Sequence, residues 1–196
     1  MHSVSPGPTL LRGAAMVYLF RFLVFFVSTC VVAALALPIK RTFASLSEDM
    51  ASLAHAITTL DNLVKAFPSS GLLGAIEIEE AAATVITALD AAASDSASTG
   101  PLNDAQGAAI IEIVEGFEPA MLDAISRVVT DKAAFESALS GLDAVVLADL
   151  EELFTAATSL ATQLITNAPA DLKPTATSLE GVIITALTSA VKAYET

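Results

Sequence analysis

The spacing of the large apolar residues between positions 43 and 67 constrains the fold more than any other feature. These residues recur at alternating intervals of three and four: Phe43, Leu46, Met50, Leu53, Ile57, Leu60, Val64 and Phe67. An α-helix has about 3.6 residues per turn, so this spacing places all eight side chains on one helical face. A helix that is apolar on one face buries that face against other helices, and the pattern therefore predicts a helical bundle.

Four further segments show helical periodicity. A second helix is predicted from Leu72 to Ala93 and is followed by a Ser, Thr, Gly and Pro-rich loop from Ser94 to Pro101. Helices are also predicted over 103–128, 142–164 and 172–194. The predicted fold class is all-α, an antiparallel up-and-down bundle of about five amphipathic helices, because short connections favour antiparallel succession.

Three details concern the third helix and the segment that follows it. Pro119 lies inside the third helix, where proline removes a backbone hydrogen bond, and we expect a kink because the apolar face continues beyond it. Asn103 or Asp104 can cap the start of this helix with a side-chain oxygen. The segment from Thr130 to Gly141 is ambiguous, although Phe135 and Leu139 are predicted to be buried.

The first 36 residues have the layout of a secretory signal peptide. Residues 22–36 form an uninterrupted run low in polar side chains, preceded by Arg12 and Arg21 and ending in Ala-Leu-Ala at Ala36. The run is shorter than the ~20 residues of a typical membrane span. The alternative is an uncleaved anchor running from Met16 to Leu37, and Met16 is also an alternative start of the chain.

Lys40 and Arg41 form a dibasic pair directly after the predicted signal peptide. This pair predicts a short pro-segment, 37–41, removed by a second cleavage, and a helical-bundle domain spanning 42–196. The alternative is a chance pair with no processing role. The predicted location is extracellular, with cell-wall association as a further option and no stable membrane span after signal cleavage.

Charge and cysteine content exclude several classes of function. Residues 42–196 contain five basic and 22 acidic residues, a net charge of −17, and no Lys/Arg cluster that would neutralise nucleic acid phosphates. Cys30 is the single cysteine and lies in the predicted signal peptide. The domain is therefore expected to be held by packing without disulfides.

Signatures of catalysis are also lacking in the sequence. His55 is the one histidine after the signal peptide, which is too few for a zinc site, and neither a Gly-x-Ser-x-Gly element nor a phosphate-binding glycine loop is found. The acidic pairs at 79–80 and 151–152 occupy adjacent helical positions whose side chains do not converge. We expect a protein that is not an enzyme, with no metal and no cofactor.

The large apolar residues of the predicted helices are the feature that points to a function. Phe67, Phe117, Phe135 and Phe154 occur on helices otherwise rich in alanine. Such a core either packs closely or leaves a cavity between the helices, and both alternatives stay open. Burial of an alkyl chain in a cavity contributes about 0.8 kcal/mol per CH₂ group.

The motif I-x-x-L-D-x-x-V-x-x-F is present in the first helix, at Ile57, Leu60, Asp61, Val64 and Phe67. With the leader, the dibasic pair, the cysteine-free body and the stretch 132–135, it resembles fungal hydrophobic surface-binding protein A and the related cell-wall galactomannoproteins. The resemblance covers about 39–194. It implies a secreted or wall-associated helical domain that adsorbs to hydrophobic surfaces and recruits a secreted polyester hydrolase, or that holds fatty acids inside the bundle. The sequence departs from the galactomannoproteins in showing no long Ser/Thr-rich tail or anchor signal, so permanent attachment to the cell wall is not expected.

The predicted function is that of a secreted, non-catalytic protein that binds hydrophobic surfaces or lipids, as fatty-acyl chains, through the inner faces of the bundle. The candidate lipid-binding residues are Leu60, Val64, Phe67, Val114, Phe117, Met121, Leu153, Phe154 and Ile183. The alternatives are a structural cell-wall mannoprotein and an accessory protein that recruits a secreted hydrolase. The expected partner is an apolar surface or a fatty acid. If the protein is an accessory protein, the secreted hydrolase is a further expected partner.

Overall fold

A computed structural model describes residues 42–195, and the predicted signal peptide and pro-segment lie outside these residues. The described part of the chain forms six α-helices and confirms the all-α fold class. The helices are α1 (Phe43–Ala66), α2 (Gly71–Thr99), α3 (Asp104–Thr130), α4 (Lys132–Ala138), α5 (Leu142–Asn167) and α6 (Lys173–Tyr194). Five helices are long, and the short α4 occupies the segment that the sequence left ambiguous.

The five long helices form a closed ring. α1 packs between α2 and α3, α5 packs between α2 and α6, and α6 packs against α3, so that the ring runs α1–α2–α5–α6–α3. The short α4 contacts α2, α3 and α5 at one end of the ring. The core therefore lies in the centre of the ring.

Successive long helices alternate in direction, as the short connections predict, but several neighbours in space run parallel. The ends of α2 and α5 meet where the Asn167 side-chain amide donates to the Ser96 carbonyl oxygen at 2.7 Å. The ends of α3 and α6 meet where the Tyr194 hydroxyl donates to the Val128 carbonyl oxygen at 2.8 Å. α2 and α5 thus point to one end of the bundle, called here the cavity end, and α1, α3 and α6 point to the other, called the aromatic end.

The apolar face of α1 supplies the centre of the core. Leu46, Met50, Leu53, Ile57 and Val64 are almost completely buried. They belong to two clusters, a large one shared by all five long helices and a smaller one at the aromatic end. The three-four spacing of α1 therefore predicted its buried face correctly.

The predicted loop from Ser94 to Pro101 is wrong over its first six positions, because α2 continues to Thr99. Asp95 and Ser96 are buried there in spite of their polarity. The hydroxyls of Ser98 and Thr99 donate to the carbonyls four residues earlier, at 2.9 Å and 2.8 Å, within the helix. Tertiary contacts at the end of α2 thus override the turn-forming preference of these residues.

The start and middle of α3 agree with the sequence. The Gln106 backbone N–H donates to Asn103 Oδ1 at 2.9 Å and the Asn103 N–H donates to Gln106 Oε1 at 3.1 Å, a capping box that makes Asn103 the N-cap. α3 runs through Pro119 as one helix. Phe135 is buried as predicted, but Leu139 is exposed, because the short α4 ends before it.

None of the helices within 42–195 combines the length and the apolar character that a membrane crossing requires.

Candidate functional site

A cavity of about 80 Å³ lies inside the ring, between α3, α5 and α6. Leu89 of α2 and Leu102 of the α2–α3 connection complete its wall. Its lining residues are Leu89, Leu102, Gly107, Ile110, Ile111, Val114, Phe117, Met121, Ala157, Leu160, Ala161, Leu164, Ile165, Ala168, Ala176, Leu179, Glu180, Ile183 and Ile184. All of these except Glu180 are apolar residues or glycine, so the cavity is a site for an apolar group.

The hollow exists because small side chains meet at this level of the ring. Ala157 and Ala161 of α5, Ala168 directly after α5 and Ala176 of α6 all line the cavity. An interior packed to the usual density leaves few voids larger than a water molecule. Alanines in the walls of α5 and α6 leave such a void, because their side chains are too short to fill the space between the helices.

The cavity end is closed by a tight contact between α3 and the α5–α6 connection. A β-carbon on Gly107 would lie 2.7 Å from Pro169 Cδ and 2.9 Å from Leu172 Cδ1. Such distances are shorter than carbon atoms tolerate, so a side chain at this position would push the connection outward. Gly107 thus lets the chain after α5 close one end of the cavity.

A buried polar contact fixes the same end. The Asn167 side chain donates to the Ser96 carbonyl oxygen at 2.7 Å, and the Asn167 carbonyl oxygen accepts from the Leu102 N–H at 2.8 Å. Asn167 therefore ties the ends of α2 and α5 to the start of α3. The sequence placed Asn167 in a turn and gave no signal for this role, which depends on residues 65 and 71 positions away.

A smaller cavity of about 50 Å³ lies towards the aromatic end, among α1, α2, α4 and α5. Its wall includes Phe135, together with the carboxylate-bearing Glu79 and Asp149. Beside it the rings of Phe67 and Phe135 stack with centroids 4.2 Å apart at an interplanar angle of 19°. Aromatic stacking thus leaves a smaller hollow at this end of the bundle than the one between α3, α5 and α6.

The structure separates the predicted lipid-binding residues into four groups. Val114, Phe117, Met121 and Ile183 together line the larger cavity. Leu60 and Leu153 line the smaller one, whereas Val64 and Phe67 belong to the packed cluster at the aromatic end. Phe154 is half-buried against the core and lines neither cavity. Sequence reasoning missed the contributions of Leu102, Gly107 and the alanines, because no pattern distinguishes a small residue in a wall from one in a close packing contact.

The charged groups with resolved ion pairs lie mainly at the aromatic end. Lys65 Nζ lies 2.6 Å from Asp61 Oδ2 and 3.2 Å from Asp123 Oδ2, and Arg127 Nε lies 3.1 Å from Asp123 Oδ2. Hydrogen bonds to Asp61 and Asp123 raise the pKa of Lys65. Hydrogen bonds from Arg127 and Lys65 lower the pKa of Asp123. This network joins α1 to α3 along their parallel contact.

Residues 42–195 contain no cluster of three or more His, Cys, Asp or Glu side chains arranged to hold a metal ion.

The family model described as hydrophobic surface binding protein A matches residues 43–166, more than half of the chain. The chain belongs to the hydrophobic surface binding protein A family. The matched region covers α1 to α5 almost completely, so it includes every wall of the larger cavity except α6. The predicted family is thereby confirmed.

Three solved structures with a similar fold are complexes with fatty acids. AFMP4P in complex with palmitic acid superposes with a TM-score of 0.71 at 25% sequence identity, over 78% of this chain and 99% of that one. Ligand binding domain 1 of Penicillium marneffei MP1 protein, complexed with arachidonic acids, gives a TM-score of 0.68 at 18% identity over 75% of this chain and 94% of that one. Ligand binding domain 2 of the same protein, complexed with multiple arachidonic acids, gives a TM-score of 0.68 at 17% sequence identity. The superposition covers 80% of this chain and 97% of that one. No curated protein matches the sequence.

Proposed function

We propose that this protein binds one long alkyl or acyl chain in the cavity between α3, α5 and α6. The observation that carries the proposal is the wall itself, in which eighteen of the nineteen lining residues are apolar or glycine. Removing a CH₂ group from water into such a wall contributes about 0.8 kcal/mol. Family membership and the lipid complexes of the similar structures support the same class of ligand.

The volume of the cavity sets the mode of binding. About 80 Å³ is roughly half of the ~150 Å³ that accommodates a benzene ring in an engineered apolar cavity. A chain of sixteen carbons therefore requires the side chains between α3 and α6 to move apart. Met121 and Leu164 are suited to this, because long unbranched or γ-branched side chains change rotamer at low cost.

Val114, Phe117, Met121 and Ile183 are the predicted residues that the proposal retains as ligand contacts. They come from two helices, α3 and α6, which pack against each other along the ring. Leu60, Val64, Phe67, Leu153 and Phe154 are assigned to the core instead, because none of them lines this cavity.

Native mass spectrometry of the domain with palmitic acid and with hexadecanol tests the proposal. We expect a one-to-one complex with at least one of the two, lost in Ala161→Leu, which fills the cavity from α5. Ala144→Leu is the matched control, since it makes the same change at an exposed position of the same helix. Absence of any complex with either compound contradicts the proposal, as does equal binding by Ala161→Leu and the wild type.

The proposal extends to where the protein acts. The leader at 1–36 and the dibasic pair Lys40–Arg41 support secretion of the bundle into the extracellular space, with processing at Ala36 and after Arg41. Mass determination of the secreted chain tests this, because an N-terminus at Leu37 shows cleavage after Ala36 alone and an N-terminus at Thr42 shows cleavage after Arg41. Recruitment of a secreted hydrolase stays a prediction that a binding assay with such an enzyme would test.

A further inference from the structure

Glu180 is the single charged residue in the wall of the larger cavity. It lies on α6 one helical turn beyond Ala176 and one turn before Ile183 and Ile184, which line the same wall. Its side chain is half-buried, whereas Ile183 is buried. Glu180 therefore lies at the rim, where the apolar interior meets solvent.

The head group of a bound amphiphile belongs at this rim. A charged or hydroxyl group does not remain in an apolar interior without hydrogen-bond partners, and the wall offers none apart from Glu180. The alkyl chain thus lies inside while the head group lies close to the Glu180 carboxylate. Two like charges at such a rim repel each other, whereas a neutral or positive head group does not.

The distribution of basic residues strengthens this effect. Four of the five basic residues of 42–195 lie at the aromatic end, the end opposite the closed end of the cavity: Lys65, Arg127, Lys132 and Lys192. The fifth, Lys173, is in the first turn of α6 and places its Nζ 3.3 Å from the Thr166 carbonyl oxygen, outside the cavity wall. Exposed residues of α3 and of the α5–α6 connection are acidic instead, at Asp104, Glu112, Glu115 and Asp171.

We propose that the cavity selects amphiphiles whose head group carries no negative charge, such as long-chain alcohols or amines, over ionised fatty acids, with Glu180 as the residue that sets this preference. The inference rests on the proposed function, since it concerns the ligand of the same cavity. It adds the chemical class of the head group, which an apolar wall alone leaves open.

Binding of hexadecanol, hexadecylamine and palmitate, which share one chain length, tests the proposal at neutral pH and below their micellar concentrations. We expect the wild type to bind palmitate about tenfold more weakly than hexadecanol, as a repulsion between like charges near a protein surface predicts. Glu180→Gln is expected to bring the two affinities within about twofold. Glu152→Gln, which removes the same charge from an exposed position of α5, controls for net charge and should leave the ratio unchanged.

Two results overturn the inference. One is equal affinity of the wild type for palmitate and hexadecanol, or a ratio that Glu180→Gln does not change. The other is a loss of palmitate binding in Lys173→Gln with palmitate preferred in the wild type, which would make Lys173 the partner of an ionised carboxylate. Failure of all three compounds to bind contradicts the proposed function itself and is thereby distinguished from failure of the head-group preference.

Discussion

The two ends of the bundle use the same residue types and reach opposite outcomes. At the aromatic end Phe67 and Phe135 stack at 4.2 Å, and Phe135 is 1% exposed. At the cavity end Phe117 stands beside a hollow of about 80 Å³. What differs is the neighbouring wall, which contains a second aromatic ring in the first case and several alanines in the second.

This difference shows that close packing in a helical ring depends on pairs of faces. A large side chain fills the interior only where the facing helix is near enough or large enough to meet it. The short α4 places Phe135 at the aromatic end, where residues of α1, α2 and α5 pack around it. No corresponding short helix lies at the cavity end within residues 42–195.

Replacing Phe135 or Phe117 by alanine should give the largest difference in the free energy of unfolding between the two ends. Phe135→Ala is expected to lower the free energy of unfolding by about 3–5 kcal/mol, because it removes a fully buried ring and leaves a new void. Phe117→Ala should cost about 1 kcal/mol less, since Phe117 borders the larger hollow of about 80 Å³, whereas Phe135 borders the smaller one of about 50 Å³ and is also stacked on Phe67. Urea denaturation followed by circular dichroism measures both. Equal losses would mean that the hollow beside Phe117 is filled in solution.

Removing the Asn167 side chain tests how the cavity end stays closed without dense packing. Asn167→Ala removes the donor at 2.7 Å from the buried Ser96 carbonyl oxygen, which then keeps the longer hydrogen bond from the Gly100 N–H at 3.3 Å, and we expect a cost of about 1–2 kcal/mol. Asn62→Ala, at an exposed position of α1, is the matched control and should be neutral. A neutral Asn167→Ala would show that the α2–α5 contact is held by apolar packing alone.

Tyr194 makes the stability of the aromatic end depend on pH. Burial, followed by the nearby charges of Glu136, Asp131 and Asp143, raises the pKa of its phenol above the value of 10.0 expected for the unfolded chain. The unfolded state therefore releases this proton at lower pH than the folded state. Stability from the group is complete below pH 10.0 and declines as the pH rises above that value.

The Tyr194→Phe variant isolates this effect. It loses the hydrogen bond to the Val128 carbonyl oxygen, at a cost of about 1 kcal/mol near neutral pH. Thermal unfolding between pH 7 and 11 should show that the variant and the wild type converge as the pH rises. A constant difference over the whole range would contradict a buried, protonated phenol.

Filling the cavity is expected to have the smallest effect on stability. Ala161→Leu adds apolar contacts without a polar loss and should raise the free energy of unfolding by about 0.5 kcal/mol. Ala144→Leu should change it less. A destabilised Ala161→Leu would mean that the wall around Ala161 has no room for the added atoms, which would place the hollow elsewhere along α5.

The sequence predicts those parts of the fold that depend on periodic apolar residues and on local capping rules. The alternating face of α1, the cap at Asn103 and the continuity of α3 through Pro119 all follow from local rules. The last turns of α2 did not, because Ser96 is helical owing to a contact with Asn167 far along the chain. The sequence placed Val114, Phe117 and Met121 on an inner helical face, and these residues do line the interior. Whether that face borders a cavity depends on the alanines of α5. An alanine in a close packing contact and an alanine facing a void cannot be told apart in a sequence.

The order of helices around the ring differs from their order in the chain, and this has a consequence for how the interior volume arises. α3, α1, α2 and α5 form a row of four neighbours, which is complete without the last helix. The twenty-two residues of α6 join the two outer members of that row. Without them the region lined by α3 and α5 is an open trough, so the enclosed volume comes into being only when the final helix of the bundle docks.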